Sequence, residues 1–186
     1  MNVKGIQSHS IILQGLEVLE NIEHRGACGC EPNTGDGAGI LTQVPDRFFR
    51  SICEFDLPEK GKYGVGVIFM PRDEAQREIC CAVFEKVVSD EGQKLLGWRA
   101  VPVDNSDLGD TALLAEPQMY QVFVEGFSIT EEDPLGFERT LYLIRKRVEK
   151  EIRDKLGESG FYVASFSSRT LVYKGMFLSP QLEPYF

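Results

Sequence analysis

Three glycines at alternate positions, Gly35, Gly37 and Gly39, constrain the fold of this chain more than any other stretch. A helical pattern runs toward them from the N-terminal side, and a strand pattern follows them. Glycine adopts backbone angles that other residues avoid, so this stretch predicts a tight turn with unusual geometry. Arg25 and Asp36 place a charged side chain at each end of the turn region. We therefore expect a sharp, constrained loop between the first helix and the first strand.

A phosphate-binding loop is the alternative interpretation of this glycine-rich stretch. The stretch lacks the Lys-Ser/Thr pair of a P-loop and the full glycine spacing of a dinucleotide-binding fingerprint. A helix precedes it, whereas a nucleotide-binding loop follows a strand. The sequence therefore disfavours nucleotide binding.

Periodic patterns along the chain predict helices and short strands within a single domain spanning residues 1–186, a length typical of one domain. Helices on both faces of mostly antiparallel strands satisfy the order of these elements, which places the fold in the α+β class. Residues 104–117 are expected to form a loop. The predicted helices span 8–23, 73–91 and 136–156, with a brief helical turn from Asp46, and the predicted strands span 39–45, 63–70, 97–103, 120–127 and two segments within 161–174.

Three helices and one strand carry patterns that predict their buried faces. The first helix has two adjacent apolar rows, which suit packing on a sheet. Strand 63–70 has Gly64 and Gly66 on one face, which predicts close approach of another layer. The residues expected to be buried are Ile11, Val18 and Ile22 beside Ile12, Leu16 and Leu19 in the first helix, Ala75, Ile79, Ala82, Val83 and Val87 in the second, and Phe137, Leu141, Ile144, Val148 and Ile152 in the third.

Charge and apolar patterning exclude several classes of partner. The net charge is −9, whereas nucleic-acid binding requires a basic surface, so no nucleic-acid partner is expected. No apolar run approaches the length of a membrane span, and no signal peptide is visible. The chain has five cysteines, an odd number, which favours a reducing compartment such as the cytoplasm or an organellar stroma.

Cys28, Cys30 and His24 form a grouping that suggests a metal site. Structural zinc sites need a second pair of ligands, and the adjacent Cys80 and Cys81 lie within a predicted helix. Ordinary thiols are the better interpretation, and no metal site is predicted. Catalysis by a Cys–His pair is also unsupported, because the chain has only two histidines and neither is placed as an oriented base.

A series of short blocks spaced along nearly the whole chain carries a family resemblance. The blocks are HRGA (24–27), GDGAGIL (35–41), YGVGVIFMP (63–71), GWRAVPV (97–103), QVF (121–123) and SRTLVYKGM (168–176). Together and in this order, they resemble the N-terminal glutaminase domain of glutamate synthase, a class II glutamine amidotransferase.

The resemblance implies an N-terminal-nucleophile hydrolase fold, a four-layer αββα sandwich with mainly antiparallel sheets. In that family an N-terminal cysteine attacks the side-chain amide of L-glutamine, with its own α-amino group as the base. The released ammonia travels to a synthase region, or a separate synthase subunit, that carries FMN and an iron–sulfur cluster. That region makes glutamate from 2-oxoglutarate.

The resemblance also assigns site residues. Arg25, in the HRGA block, takes the family's catalytic role of positioning the nucleophile beside the substrate. Asp36 and Gly37 are assigned to a structural loop near the site. We expect the Arg25 guanidinium to point into a cleft near residues 4–5, and pairing with a nearby carboxylate such as Glu31 is the alternative.

Two parts of the family's catalytic apparatus have no counterpart in this sequence. The family has its catalytic cysteine close to the position at which this chain begins with Met1. All five cysteines of this chain are internal. The family's Asn-Gly oxyanion block and glutamine-binding arginine have no match before Phe186. We therefore expect a fragment of a glutaminase domain that is inactive by itself. The alternative is a degenerate, non-catalytic module that regulates or binds a partner.

Overall fold

The computed structural model describes residues 6, 8–25, 31–127 and 133–186, including only the backbone of Arg25. These residues form helices together with a four-stranded antiparallel sheet and a second sheet of two strands, the first and the last, so the α+β prediction is confirmed. The helices are α1 (His9–Asn21), α2 (Asp46–Ile52), α3 (Glu74–Asp90), α4 (Asp110–Ala115), α5 (Gly136–Leu156) and α6 (Leu182–Tyr185), with 3₁₀ turns at Glu23–Arg25 and Ser179–Gln181, and the strands are β1 (Ala38–Gln43), β2 (Tyr63–Met70), β3 (Lys94–Ala100), β4 (Gln118–Glu125), β5 (Tyr162–Ser167) and β6 (Thr170–Gly175).

The chain divides into two compact units. Unit 1 combines Met1–Thr42, Pro102–Glu116 and Val172–Phe186, and unit 2 combines Gln43–Val101 and Pro117–Leu171. Each unit therefore draws on segments that are distant in sequence.

A four-stranded antiparallel sheet, ordered β3-β4-β2-β5, forms the centre of unit 2. Val65 of β2 lies opposite Phe123 of β4 and Ser167 of β5. A methyl group added to Gly64 of β2 would lie 2.6 Å from the Leu141 Cδ1 atom of α5. The glycine therefore allows close approach of a helix to the sheet, as the sequence predicted.

The two long helices α3 and α5 build the main core with this sheet. The Asp73 side chain begins α3 by accepting a hydrogen bond from the backbone N–H of Gln76 at 2.9 Å. Among the described residues, no helix combines the length and the apolar character needed to cross a membrane. The predicted apolar row of α5 is confirmed, since each of its members is at most 1% exposed: Phe137, Leu141, Ile144, Val148 and Ile152.

An aromatic cluster packs on the other face of β2 and β4. Phe49 of α2 is fully buried, and its ring meets the Phe123 ring edge-on at a centroid distance of 5.1 Å. The centroid of the Phe55 ring lies 5.2 Å from that of the same Phe123 ring. The Tyr63 hydroxyl donates a hydrogen bond to Asp46 Oδ1 at 2.9 Å, which ties the start of α2 to β2. The brief helix predicted from Asp46 is confirmed.

Helix α1 in unit 1 corrects one prediction of the sequence. Val18 is 60% exposed and Ile22 is 47% exposed, so the predicted broad buried face is wrong on that side. The neighbours of α1 within unit 1 include Ile40 of β1, whose Cδ1 atom would lie 3.4 Å from a Cβ atom on Gly15, and the turn Ser179–Gln181. Ile11 and Gly15 lie on the same helical row as Val18 and Ile22 but are half-buried, so these neighbours cover the first half of the row and leave its second half exposed. The half-buried members of the predicted face are Ile11, Ile12, Leu16 and Leu19.

Two strands begin earlier than predicted. β3 spans Lys94–Ala100 instead of 97–103, and β4 spans Gln118–Glu125 instead of 120–127. Proline has no N–H group for a sheet hydrogen bond, which explains why β3 ends before Pro102.

Two helical predictions are also corrected. Residues 104–117 are not all loop, because they contain α4. With six residues, α4 is too short to show a clear helical period in the sequence. Ala75, Ile79 and Ala82 of α3 are exposed although they were expected to face inward, and only Val83 and Val87 of the predicted set are buried. The buried stripe of α3 instead includes Cys80 and Phe84, both of which are fully buried.

Candidate active site

The glycine-rich turn packs tightly against the end of β6 and against the chain that follows β6 in unit 1. Gly35 is buried, and a Cβ atom there would lie only 2.4 Å from the carbonyl oxygen of Phe177. A Cβ atom on Gly39 would lie 2.6 Å from the Cβ atom of Lys174. Gly37 has a φ angle of +133°, in the region that favours glycine. The predicted tight turn with unusual backbone angles is therefore confirmed, and close packing accounts for Gly35 and Gly39.

Arg25 stands at the end of the 3₁₀ turn Glu23–Arg25. Its side chain lies outside the described residues, as do residues 1–5 and 26–30. The predicted cleft near residues 4–5 and the alternative pairing with Glu31 therefore stay predictions. Asp36, at the glycine-rich turn, is described and exposed, and its assigned role is also still a prediction.

The Glu31 carboxylate joins the segment before the turn to α4. Its Oε1 atom accepts hydrogen bonds from the Thr34 hydroxyl at 2.5 Å and from the backbone N–H of Thr111 at 2.6 Å. Two hydrogen-bond donors lower the pKa of Glu31 because both favour the ionised carboxylate. The Thr34 hydroxyl has the larger effect and the Thr111 N–H the next largest. The sequence suggested Glu31 only as a partner for Arg25, because nothing local in the sequence connects Glu31 with Thr111.

Gln181 is a buried polar residue that the sequence did not single out. Its side chain is 5% exposed, and both ends of the amide are used. The Nε2 group donates hydrogen bonds to the carbonyl oxygens of Asn33 at 3.2 Å and Asp107 at 2.6 Å. The Oε1 atom accepts from the backbone N–H of Leu178 at 2.8 Å. One side chain thus links three chain segments of unit 1.

The described cysteines lack the features of a nucleophile. Cys53, Cys80 and Cys81 are free thiols. Burial raises the pKa of all three and brings that of Cys80 to about 11. A nucleophilic cysteine has the opposite property, a lowered pKa that favours the thiolate. The described residues also contain no group of three or more His, Cys, Asp or Glu side chains that could hold a metal ion; residues 26–30, which include the predicted cysteine pair, lie outside them.

Comparisons with known proteins identify the family of this chain. The model of the family described as glutamine amidotransferases class-II matches residues 1–186. The glutamate synthase [NADPH] large chain of Bacillus subtilis is 43% identical over 187 residues, which cover 100% of this chain and 12% of that protein. The ferredoxin-dependent glutamate synthase 1 of Arabidopsis thaliana is 36% identical over 192 residues, again covering 100% of this chain and 12% of the relative. The glutamate synthase [NADH] of Saccharomyces cerevisiae is 36% identical over 196 residues, covering 100% of this chain and 9% of the relative.

These matches extend over the whole chain, as the six sequence blocks predicted. They also confirm the predicted N-terminal-nucleophile hydrolase class of fold, which the mixture of helices and antiparallel strands supports. The chain spans only about 12% of the length of the first two relatives. This chain belongs to the class II glutamine amidotransferases and is the type of domain found in glutamate synthases.

Proposed function

We propose that this chain is part of a domain that hydrolyses L-glutamine to glutamate and ammonia. The family match over residues 1–186, joined to relatives that are named glutamate synthases, is the observation that carries the proposal. The ammonia then serves a synthase region or synthase subunit that makes glutamate from 2-oxoglutarate. The FMN and the iron–sulfur cluster belong to that synthase part, and we assign them no ligand in this chain. The cytoplasm or an organellar stroma stays the predicted compartment.

The proposed reaction passes through a thioester. A cysteine thiolate attacks the side-chain amide carbon of glutamine, the C–N bond breaks, and the nitrogen takes up a proton and leaves as ammonia. Water then attacks the thioester and releases glutamate and the thiol. The nucleophile in this family is an N-terminal cysteine with its own α-amine as base. We assign that role to none of the five internal cysteines of this sequence.

Arg25 and the glycine-rich turn are the parts of the site that we assign to this chain. Arg25 positions the nucleophile beside the substrate, and Asp36 and Gly37 belong to the loop that adjoins it. The tight packing of Gly35 against the Phe177 carbonyl supports this assignment, because it leaves the loop little room to move. Rigid support of this kind keeps reacting groups within the narrow range of geometry that catalysis requires.

The experiment measures glutamate release from glutamine by the protein that carries this sequence at its full natural length. We expect release by the unchanged protein and a large loss in Arg25→Ala. Arg153→Ala, which removes an exposed arginine of α5 in unit 2, is the matched control and should keep the activity. A folded full-length protein that releases no glutamate would overturn the proposal and favour the non-catalytic module.

The same assay on the 186-residue polypeptide alone tests the assignment of the nucleophile. We expect no release above a buffer blank, because the thiol and its α-amine base must come from one residue. Release that Arg25→Ala abolishes would show that an internal cysteine takes the role, and would contradict this part of the proposal.

A further inference from the structure

The segment from Glu31 to Gly37 in unit 1 is held by side chains and backbone groups from two other parts of the unit. This segment leads into the glycine-rich turn, since it contains Gly35 and Gly37, and Glu31 follows Arg25 by six positions in the sequence. One set of contacts comes from residues 107–111, at the start of α4, and the other comes from residues 174–181.

Glu31 provides the first of these links. Its Oε1 atom accepts from the Thr34 hydroxyl within the segment and from the Thr111 N–H in the first turn of α4. Thr34 is only 3% exposed, so its hydroxyl depends on this carboxylate oxygen for a hydrogen bond away from water. A single oxygen atom therefore fixes the fold of the segment and attaches it to α4.

Gly109 shows how closely these parts fit. It is buried, and a Cβ atom there would lie 2.4 Å from Thr34 Oγ1 and 2.7 Å from Glu31 Oε1. Its backbone N–H donates a hydrogen bond to the carbonyl oxygen of Asn33 at 3.0 Å. The backbone before α4 thus lies directly against the segment, with no side chain between them.

Gln181 provides the second link. Its Nε2 group donates to the same Asn33 carbonyl that receives the Gly109 N–H, and also to the Asp107 carbonyl. Its Oε1 atom accepts from the Leu178 N–H, next to the residue that packs on Gly35. Burying an amide costs free energy unless its donor and acceptor atoms are paired, so the 5% exposed Gln181 side chain requires these partner segments to stay in place.

We infer that Glu31 and Gln181 are positioning residues for glutamine hydrolysis, which fix the segment of residues 31–37 at the glycine-rich turn. This inference rests on the proposed function. The two residues do not touch the substrate in this account; they act through the backbone of residues 31–37. Removing either side chain takes away no group that touches the substrate, but it loosens residues 31–37. Small displacements of catalytic groups lower the rate steeply.

The experiment compares Glu31→Ala, Glu31→Gln and Gln181→Ala in the full-length protein, with kcat and KM for glutamine measured per folded molecule. Glutamine at position 31 retains an oxygen that can accept from Thr34 and Thr111, so Glu31→Gln should retain most of the activity. The two alanine variants should lower kcat on the order of tenfold to a hundredfold, with a smaller change in KM.

Glu138→Ala is the matched control. In unit 2 the Glu138 carboxylate accepts hydrogen bonds from Ser167 Oγ at 3.0 Å, Ser168 N at 2.7 Å and Ser168 Oγ at 2.6 Å. It therefore attaches a turn to the first turn of a helix, as Glu31 does, but in the unit that lacks the glycine-rich turn. We expect Glu138→Ala to lower the unfolding midpoint and to keep kcat per folded molecule.

Four results separate failure of this inference from failure of the proposed function. If the unchanged protein releases no glutamate from glutamine, the proposed function fails. If the unchanged protein is active and both alanine variants keep its kcat, the inference alone fails. It also fails if Glu138→Ala lowers kcat as much as Glu31→Ala, or if Glu31→Gln is as impaired as Glu31→Ala, because the effect would then not depend on the hydrogen bonds of this segment.

Discussion

Replacing Gly35 with alanine tests whether close packing defines the glycine-rich turn. The new methyl carbon would lie 2.4 Å from the Phe177 carbonyl oxygen, 2.7 Å from the Phe177 carbonyl carbon and 2.8 Å from the Leu178 nitrogen. A carbon atom normally stays about 3.3 Å or more from a carbonyl oxygen, so the two segments must separate by roughly 1 Å.

The expected loss in the free energy of unfolding depends on which atoms the new methyl group meets. Overpacking typically costs about 1–3 kcal/mol. The obstructing atoms at Gly35 all belong to the backbone, which cannot rotate away as a side chain can, so we expect a loss near 3 kcal/mol in the free energy of unfolding. This is a large fraction of the roughly 5–15 kcal/mol that stabilises an ordinary domain.

Urea unfolding followed by far-ultraviolet circular dichroism measures the effect, with Gly15→Ala as the control. Gly15 lies within α1, and its nearest obstacle is Ile40 Cδ1 at 3.4 Å, an ordinary contact. Alanine there should raise the free energy of unfolding by about 0.5–1 kcal/mol, because alanine favours a helix interior. If Gly35→Ala stays within about 0.5 kcal/mol of the unchanged protein while Gly15→Ala behaves as expected, the packing argument is refuted.

Three further predictions concern core packing, thiol chemistry and pH. In urea unfolding followed by Trp98 fluorescence, Gly64→Ala should cost about 1–3 kcal/mol and Leu141→Ala about 2–5 kcal/mol. The double variant should cost less than their sum, because the new methyl group enters the space that Leu141 leaves; additive costs would contradict this contact. Burial raises the pKa of the Cys80 thiol to about 11, so only about one Cys80 thiol in a thousand should be ionised at pH 8. Iodoacetamide should therefore label Cys80 only after unfolding. Because the folded-state pKa of Glu31 is lowered, its contribution to stability is present above the ordinary pKa of a glutamate and is lost as the pH falls through the lowered value; Glu31→Gln should flatten that part of the pH–stability curve, and an unchanged curve would contradict the assignment.

Features that repeat within one element could be predicted from the sequence. The row from Phe137 to Ile152 in α5 recurs with the helical period, and all of its members are buried. Gly64 marked the side of β2 on which α5 approaches, whereas a Cβ atom on Gly66 would meet side chains of the same sheet, the nearest being Val122 Cγ1 at 2.7 Å. In these cases, the information that determines burial lies within a few turns of the same element.

Features that depend on distant parts of the chain could not be predicted in this way. Gln181 contacts Asn33 and Asp107, which lie 148 and 74 positions away, and nothing in its local sequence indicates those partners. The exposure of Val18 depends on how far along α1 its neighbours extend, which the sequence of the helix does not contain. The glycine-rich turn lies between these cases: its tight geometry was predictable, but its contact with the segment after β6 was not.

The most direct test of the account is glutamate release from glutamine by the full-length protein and by its Arg25→Ala variant, measured beside each other at saturating glutamine. We predict release by the unchanged protein and a rate lower on the order of a hundredfold in the variant, since Arg25 is proposed to position the reacting groups. Equal rates in the two proteins would contradict the role of Arg25, and no release by a folded, unchanged protein would contradict glutamine hydrolysis itself.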